Sequence, residues 1–374
     1  MIIRTELAIV LLLTHCFQLV VSIDCRCIND CFTCSASMDG LLPCQWCIST
    51  SRCGNSLQQF ECSGLMRVET PFNCPMSPRN ELAYVDVFAR TRALPFIAAA
   101  NSKTPEMLTT CLSNSIPGVV VLRSYEVPCD PICNFCLAYL AYSPNDNAIV
   151  LTFRSTNADQ QLLWEALNFL LYAQKEFRPV GGKVVAYFHD AFYALWNSGL
   201  EREFESALHT YPNAEVWVFG HSLGGSLASL ASAFIVGMRL VDGSRLKFLS
   251  FGQPRTGNAV YAMLFDTLIP YKYRVINKGD FITKTPIRLP FLNQDSFTHH
   301  RFEVFYPNGM SASDGYIVCP RSEDPVCSEG SKELDPATHR HYFNVSLSDY
   351  PKFGCIPIPT FYYTPYPISP QNVK

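Results

Sequence analysis

The chain has 374 residues, 16% charged and 48% hydrophobic, a balance that excludes intrinsic disorder and supplies enough apolar side chain for a sizeable core. Lys and Arg number 29 against 32 Asp and Glu, a formal net charge of -3, so no global basic field exists to hold nucleic acid. The 17 cysteines point to an oxidising compartment, because a cytosolic enzyme of this length seldom carries so many thiols.

At the N-terminus, Arg4 gives a positive start, Ala8 to Leu13 an apolar run continuing unevenly to Val21, and Val20-Val21-Ser22 small residues for cleavage. Residues 1–22 therefore read as a secretory signal peptide. An uncleaved anchor is the weaker reading, since Thr14, His15 and Gln18 interrupt the run and a membrane span takes roughly 20 mostly apolar residues. Cys16 leaves with the peptide, and nine of the other 16 cysteines fall between Cys25 and Cys74. Residues 23–76 thus form a cysteine-rich module, too short to fold on its own core and dependent on disulfides worth roughly 2 to 4 kcal/mol each. The spacing Cys31-x2-Cys34 and Cys44-x2-Cys47 also fits a zinc clasp. Thiols held for a metal would have to stay reduced along an oxidising route, so disulfides are expected and no metal. Seven cysteines lie beyond the module. Both groups are odd, so if every thiol pairs within the chain one bridge must join the module to the rest, with Cys111 and Cys355 the expected recipients. Cys319 and Cys327 are close enough for a local bridge.

After a Pro/Ser/Asn linker at 75–83, strand-type and helix-type hydrophobic periods alternate, so residues 77–350 read as an α/β sheet domain. Ala148 to Phe153 (AIVLTF) is a continuous apolar run of the kind found in buried parallel strands; Val184 to Phe188, Glu215 to Phe219, Phe248 to Gly252 and Tyr271 to Ile276 repeat it. Leu200 to Leu208 is helical, with Leu200, Phe204, Ala207 and Leu208 on one face. Residues 351–374, with six prolines, read as an extended Pro/aromatic tail.

The motif carrying chemistry is Gly220-His221-Ser222-Leu223-Gly224-Gly225, after the strand EVWVF and before the small-residue helix SLASLASA. That setting is a nucleophile elbow: a strand-to-helix turn that strains the serine backbone, leaves room beside it only for small residues, and presents Ser222 Oγ above the sheet edge. A serine nucleophile needs a base and the base an orienting acid. The acid should follow a strand, as Asp280 does in YRVINKGD; Asp266, in a helical pattern, and Asp295, in a Pro/Asn loop, are alternatives. For the base the residues, with His189 set aside by the resemblance given next, leave His299, His300, His339 and His341 open.

With the elbow, Thr152-Phe153-Arg154-Ser155-Thr156, Phe251-Gly252-Gln253-Pro254-Arg255-Thr256-Gly257-Asn258, Val275-Ile276-Asn277-Lys278-Gly279-Asp280-Phe281 and His339-Arg340-His341-Tyr342-Phe343 make the chain resemble the class 3 lipases. These are the fungal-lipase-like branch of the α/β-hydrolases, and the resemblance covers most of residues 110–345. It implies a mostly parallel sheet with flanking helices and the hydrolysis of carboxylic esters without a cofactor. The family's base comes late, with an aromatic pair three and four residues on, which selects His339; His299 matches a structural histidine. The resemblance also implies oxyanion donors at the N–H of Leu223 and at Thr156. It places a lid helix after Thr156, over about residues 157–168, with a core helix as the alternative. Ser155 and Ala191 stand where the family usually has glycine, which bears on the shape of the oxyanion loop. Cys31-Phe32-Thr33-Cys34 followed by Cys44-Gln45-Trp46-Cys47, Cys53 and Cys62 is similar to the PSI (plexin, semaphorin, integrin) module, a structural spacer in that family.

The expectation is a secreted serine hydrolase acting on lipid esters, with transient contact to a lipid surface and no nucleic-acid partner. The alternatives are an esterase for soluble or polysaccharide-linked esters and a catalytically silent protein that binds lipid or a partner. Asn344-Val345-Ser346 is the only N-glycosylation sequon, usable only if the chain turns outward there.

Overall fold

The computed structural model describes residues 23–58, 61, 62, 64–129, 135–154, 173–288 and 295–358. Residues 1–22, Cys133, Ser155, Thr156, the candidate lid at 157–168 and the tail beyond residue 358 lie outside the described residues. The chain divides into two compact units after Pro75.

In the first unit, a five-residue helix, Cys31–Ser35, is capped by Asp30, whose side chain accepts from the Thr33 N–H. The strand Gln45–Cys47 lies between Arg52–Gly54 and Arg67–Val68, antiparallel to both. The core is almost entirely sulfur: Cys25, Cys34, Cys44, Cys53 and Cys74 around Trp46 and Val68. Four disulfides hold it, Cys25–Cys44, Cys31–Cys74, Cys34–Cys53 and Cys47–Cys62, so the cysteines of the candidate zinc clasp are bridged.

The expected bridge through Cys111 or Cys355 to the module is not made, because these two bond to each other. Cys129 pairs with Cys136 and Cys319 with Cys327. The parity argument required every thiol to pair, and Cys27 does not. On the single turn Cys25–Cys27, Cys25 is buried in the core while Cys27 is exposed.

The second unit is built on eight strands, β1 (Val120–Pro128), β2 (Phe135–Ser143), β3 (Ala148–Phe153), β4 (Glu215–His221), β5 (Leu246–Phe251), β6 (Tyr271–Asn277), β7 (Glu303–Tyr306) and β8 (Ile317–Cys319). They lie side by side in chain order. β3 to β7 run parallel, and the pairs β1–β2, β2–β3 and β7–β8 are antiparallel. All six residues of β3 are buried because both faces of the sheet are covered. Ile149, Leu151 and Phe153 enter one core, and Ala148 and Val150 the other.

Five helices of ten residues or more are described: α1 (Pro105–Ser115), α2 (Ala186–Leu195), α3 (Glu201–Thr210), α4 (Leu223–Gly237) and α5 (Ala259–Leu268). Residues 223–235 of α4 are all buried. Its serines are accommodated by hydrogen bonds, Ser229 with Tyr261 Oη at 2.9 Å and Ser232 to the Ala228 carbonyl at 2.8 Å. The expected strand Val184 to Phe188 is mostly helix. Lys183–Val185 is a short strand in a second, four-stranded sheet, and α2 starts at Ala186. A five-residue apolar run is compatible with either state, and here the chain turns within it.

Candidate active site

Ser222 joins β4 to α4 with φ 56° and ψ -129°, a left-handed backbone strained for any side-chain-bearing residue. Its N–H donates to the Phe251 carbonyl at the end of β5, at 2.9 Å, which fixes the turn against the neighbouring strand. The turn closes only because position 224 is glycine. A Cβ on Gly224 would lie 2.3 Å from the Phe153 carbonyl oxygen.

Ser222 Oγ is 2.8 Å from His339 Nε2, and His339 Nδ1 is 2.9 and 3.0 Å from the two oxygens of Asp280. Three segments remote in sequence thus converge: the elbow, the turn after β6, and the 3-10 turn Thr338–Arg340. Ser222 is fully buried, and His339 and Asp280 are each 2% exposed. The contact of Asp280 with His339 needs Gly252, at φ 55°. A Cβ there would lie 2.6 Å from Asp280 Oδ2 and 3.0 Å from His339 Nδ1.

Asp280 also accepts from Tyr342 Oη at 2.6 Å and from the Ile282 N–H at 3.1 Å. Burial pushes the Asp280 carboxyl up, but His339 and the Tyr342 hydroxyl outweigh it, so its pKa lies below the ordinary carboxylate value. Tyr342 is itself stacked on Phe251, ring centroids 4.9 Å apart. Behind Asp280, the buried Arg255 guanidinium donates to the carbonyls of Lys284 and Pro286 and pairs with Glu323 and Glu329, each at 2.8 Å. It thereby pins the chain that follows Asp280. His221 turns away from the serine hydroxyl: its Nε2 is 2.7 Å from the His339 carbonyl oxygen. Neither the hydroxyl of Tyr342 nor the imidazole of His221 was assigned a contact from the sequence. Tyr342 was legible only as one of an aromatic pair and His221 only as the elbow's neighbour.

The structure brings none of the other candidates to Ser222. Asp266 is buried with Lys272 and Arg301, each 3.7 Å away, and burial raises its pKa to about 6. Asp295 pairs with Lys183 at 3.0 Å. His299 donates through Nε2 to the Thr283 carbonyl, His300 through Nδ1 to the Arg301 carbonyl, and the exposed His341 to the Ala337 carbonyl. Leu223 is the first residue of α4, so its N–H has no intrahelical acceptor and lies at the positive end of the helix dipole. The arrangement is that of a hydroxyl poised to pass its proton to an imidazole held by a buried carboxylate.

Residues 150–289 match the family model for class 3 lipases. The chain is 32% identical to a lipase of Caenorhabditis elegans over 267 residues, 64% of this chain and 74% of that relative. It is 30% identical to a lipase of Rhizopus niveus over 222 residues, 56% of this chain and 51% of the relative. A secreted mono- and diacylglycerol lipase of Fusarium solani is 28% identical over 54% of this chain and 59% of its own. Among solved structures, lipase II from Rhizopus niveus superposes with a TM-score of 0.60 at 20% identity, covering 70% of this chain and 95% of its own. That likeness speaks for the fold alone.

Proposed function

The chain belongs to the class 3 lipase family and is a hydrolase of lipid carboxylic esters, and we propose that Ser222 is its nucleophile, His339 the base and Asp280 the acid that orients the base. The observation that carries this is the unbroken hydrogen-bond series from Ser222 Oγ through His339 to Asp280. As Ser222 Oγ attacks the ester carbonyl, His339 Nε2 takes its proton and returns it to the departing alcohol. Water then hydrolyses the acyl-enzyme by the same route. Asp280 holds Nδ1 protonated and stabilises the imidazolium. The negative oxygen of the tetrahedral intermediate is received by the Leu223 N–H, with Thr156, outside the described residues, as second donor. One such donor is worth about 3 kcal/mol.

Secretion is part of the same proposal. It is supported by the seven disulfides among the described residues and by the relative named as secreted. So is contact with a lipid surface. The full burial of Ser222 supports a site that opens when the enzyme meets its substrate. The test is labelling by a fluorophosphonate together with ester hydrolysis by Ser222→Ala. The expected result is labelling of the native protein at Ser222 and loss of both labelling and turnover in the variant. Full activity of the variant on short- and long-chain esters would overturn the assignment. A rate on one ester that does not rise above its solubility limit would overturn the surface contact.

A further inference from the structure

The sequon Asn344-Val345-Ser346 takes no part in the chemistry above. The strands His341–Tyr342 and Val345–Ser346 pair antiparallel, Tyr342 opposite Val345, which leaves Phe343 and Asn344 as a two-residue hairpin turn. Both have positive φ, 54° and 62°, as a type I′ turn requires. The two side chains part company. Phe343 is 1% exposed and packs on Phe251, Tyr306 and Arg90. Asn344 is exposed, and its side chain has no hydrogen-bond partner among the described residues.

We infer that Asn344 carries an N-linked oligosaccharide at the tip of the hairpin that follows His339. This rests on the secretion proposed above. In the modification Asn344 Nδ2 attacks the anomeric carbon of an oligosaccharide carried on a polyprenyl pyrophosphate. The C–N bond forms, the bond from that carbon to the pyrophosphate oxygen breaks, and polyprenyl pyrophosphate leaves with the electron pair. Nδ2 gives up one proton. The geometry favours this position because the amide projects from a tight turn into solvent while the residue before it anchors the turn in the core. A glycan is bulky and strongly hydrated, so this end of the hairpin stays in water when the enzyme meets lipid.

Asparagine also tolerates a left-handed backbone, so turn geometry alone could place it here, and the variants must separate the two roles. Asn344→Asp keeps that tolerance and removes the acceptor amide, whereas Ser346→Thr keeps the sequon. The full chain is translated with endoplasmic-reticulum microsomes, and mobility is read before and after peptide-N-glycosidase, with protease protection reporting entry. The expected result is a protected wild type and Ser346→Thr, each one glycan heavier and restored by the glycosidase, and a protected Asn344→Asp without the increment. Protected but unshifted wild type overturns the glycan and leaves secretion standing; wild type open to protease overturns both. On an emulsified ester, wild type and Asn344→Asp should turn over equally. A rate several-fold higher for the variant would put the hairpin on the lipid and overturn its place in water.

Discussion

His221 Nε2 lies 2.7 Å from the backbone carbonyl oxygen of His339. A carbonyl only accepts, so Nε2 carries the proton. The ring stays neutral because burial, and then repulsion from His339, bring its pKa down to about 3. The residue beside Ser222 thereby tethers the backbone that carries His339. We expect His221→Ala to lower kcat on a soluble ester roughly 10-fold, about 1.4 kcal/mol, the size of one buried hydrogen bond, with KM little changed. His221→Gln, which still donates, should recover part of the loss. A defect confined to KM would argue against the tether.

Tyr342→Phe removes the hydroxyl that donates to Asp280 Oδ2 and keeps the ring stacked on Phe251. With one donor fewer, the Asp280 carboxylate is less favoured over its acid form. The acid limb of the kcat/KM profile should move to higher pH, with kcat at neutral pH reduced about 10-fold. An unmoved acid limb would show that the tyrosine only packs.

The folded Asp280 carboxyl titrates below its ordinary value, which is about 3.9 in an unfolded chain. Its contribution to stability is complete above that unfolded value and is lost as pH falls through the lowered folded one. Asp280→Asn has no such titration. The difference in unfolding free energy between wild type and variant, read from urea melts, should therefore shrink as pH is lowered from about 7 toward about 2. A constant difference across that range is the contrary outcome.

Cys111 and Cys355 are 244 residues apart in sequence, so their bond removes much freedom from the unfolded chain. Replacing both with serine should lower unfolding free energy by about 4 kcal/mol, seen as a lower denaturation midpoint under oxidising conditions. A midpoint equal to that of the wild type would show the bond to be thermodynamically idle.

The parallel strands were legible in the sequence because a strand covered on both faces is nearly continuous in apolar residues, as AIVLTF is but for Thr152 and EVWVF is after Glu215. The nucleophile elbow was legible because strand, strained serine and small-residue helix are consecutive in the chain. Where sequence reasoning fell short, the controlling contact is remote. Val184 to Phe188 is divided by pairing with Gly257 on one side and helix α2 on the other, which no local period records. β1 and β2 went unread, since half-exposed β1 lacks a continuous apolar run. The partner of Cys111 depends on where residue 355 returns, and a parity argument fails once one exposed thiol, Cys27, stays free. The choice among four histidines likewise turned on which one reaches Asp280, a fact of three-dimensional closure.

The Cys111–Cys355 bond has a topological consequence. It closes a covalent ring through which the chain passes Ser222, Asp280 and His339 in turn. A protease that cuts once between the two cysteines leaves two chain segments joined through that bond and sets no fragment free. Ser222, Asp280 and His339 remain on one molecule, and only a second cut or reduction of that bond can part them. In the secreted setting proposed above, survival of the enzyme among proteases would not require every loop in the ring to resist its first cleavage.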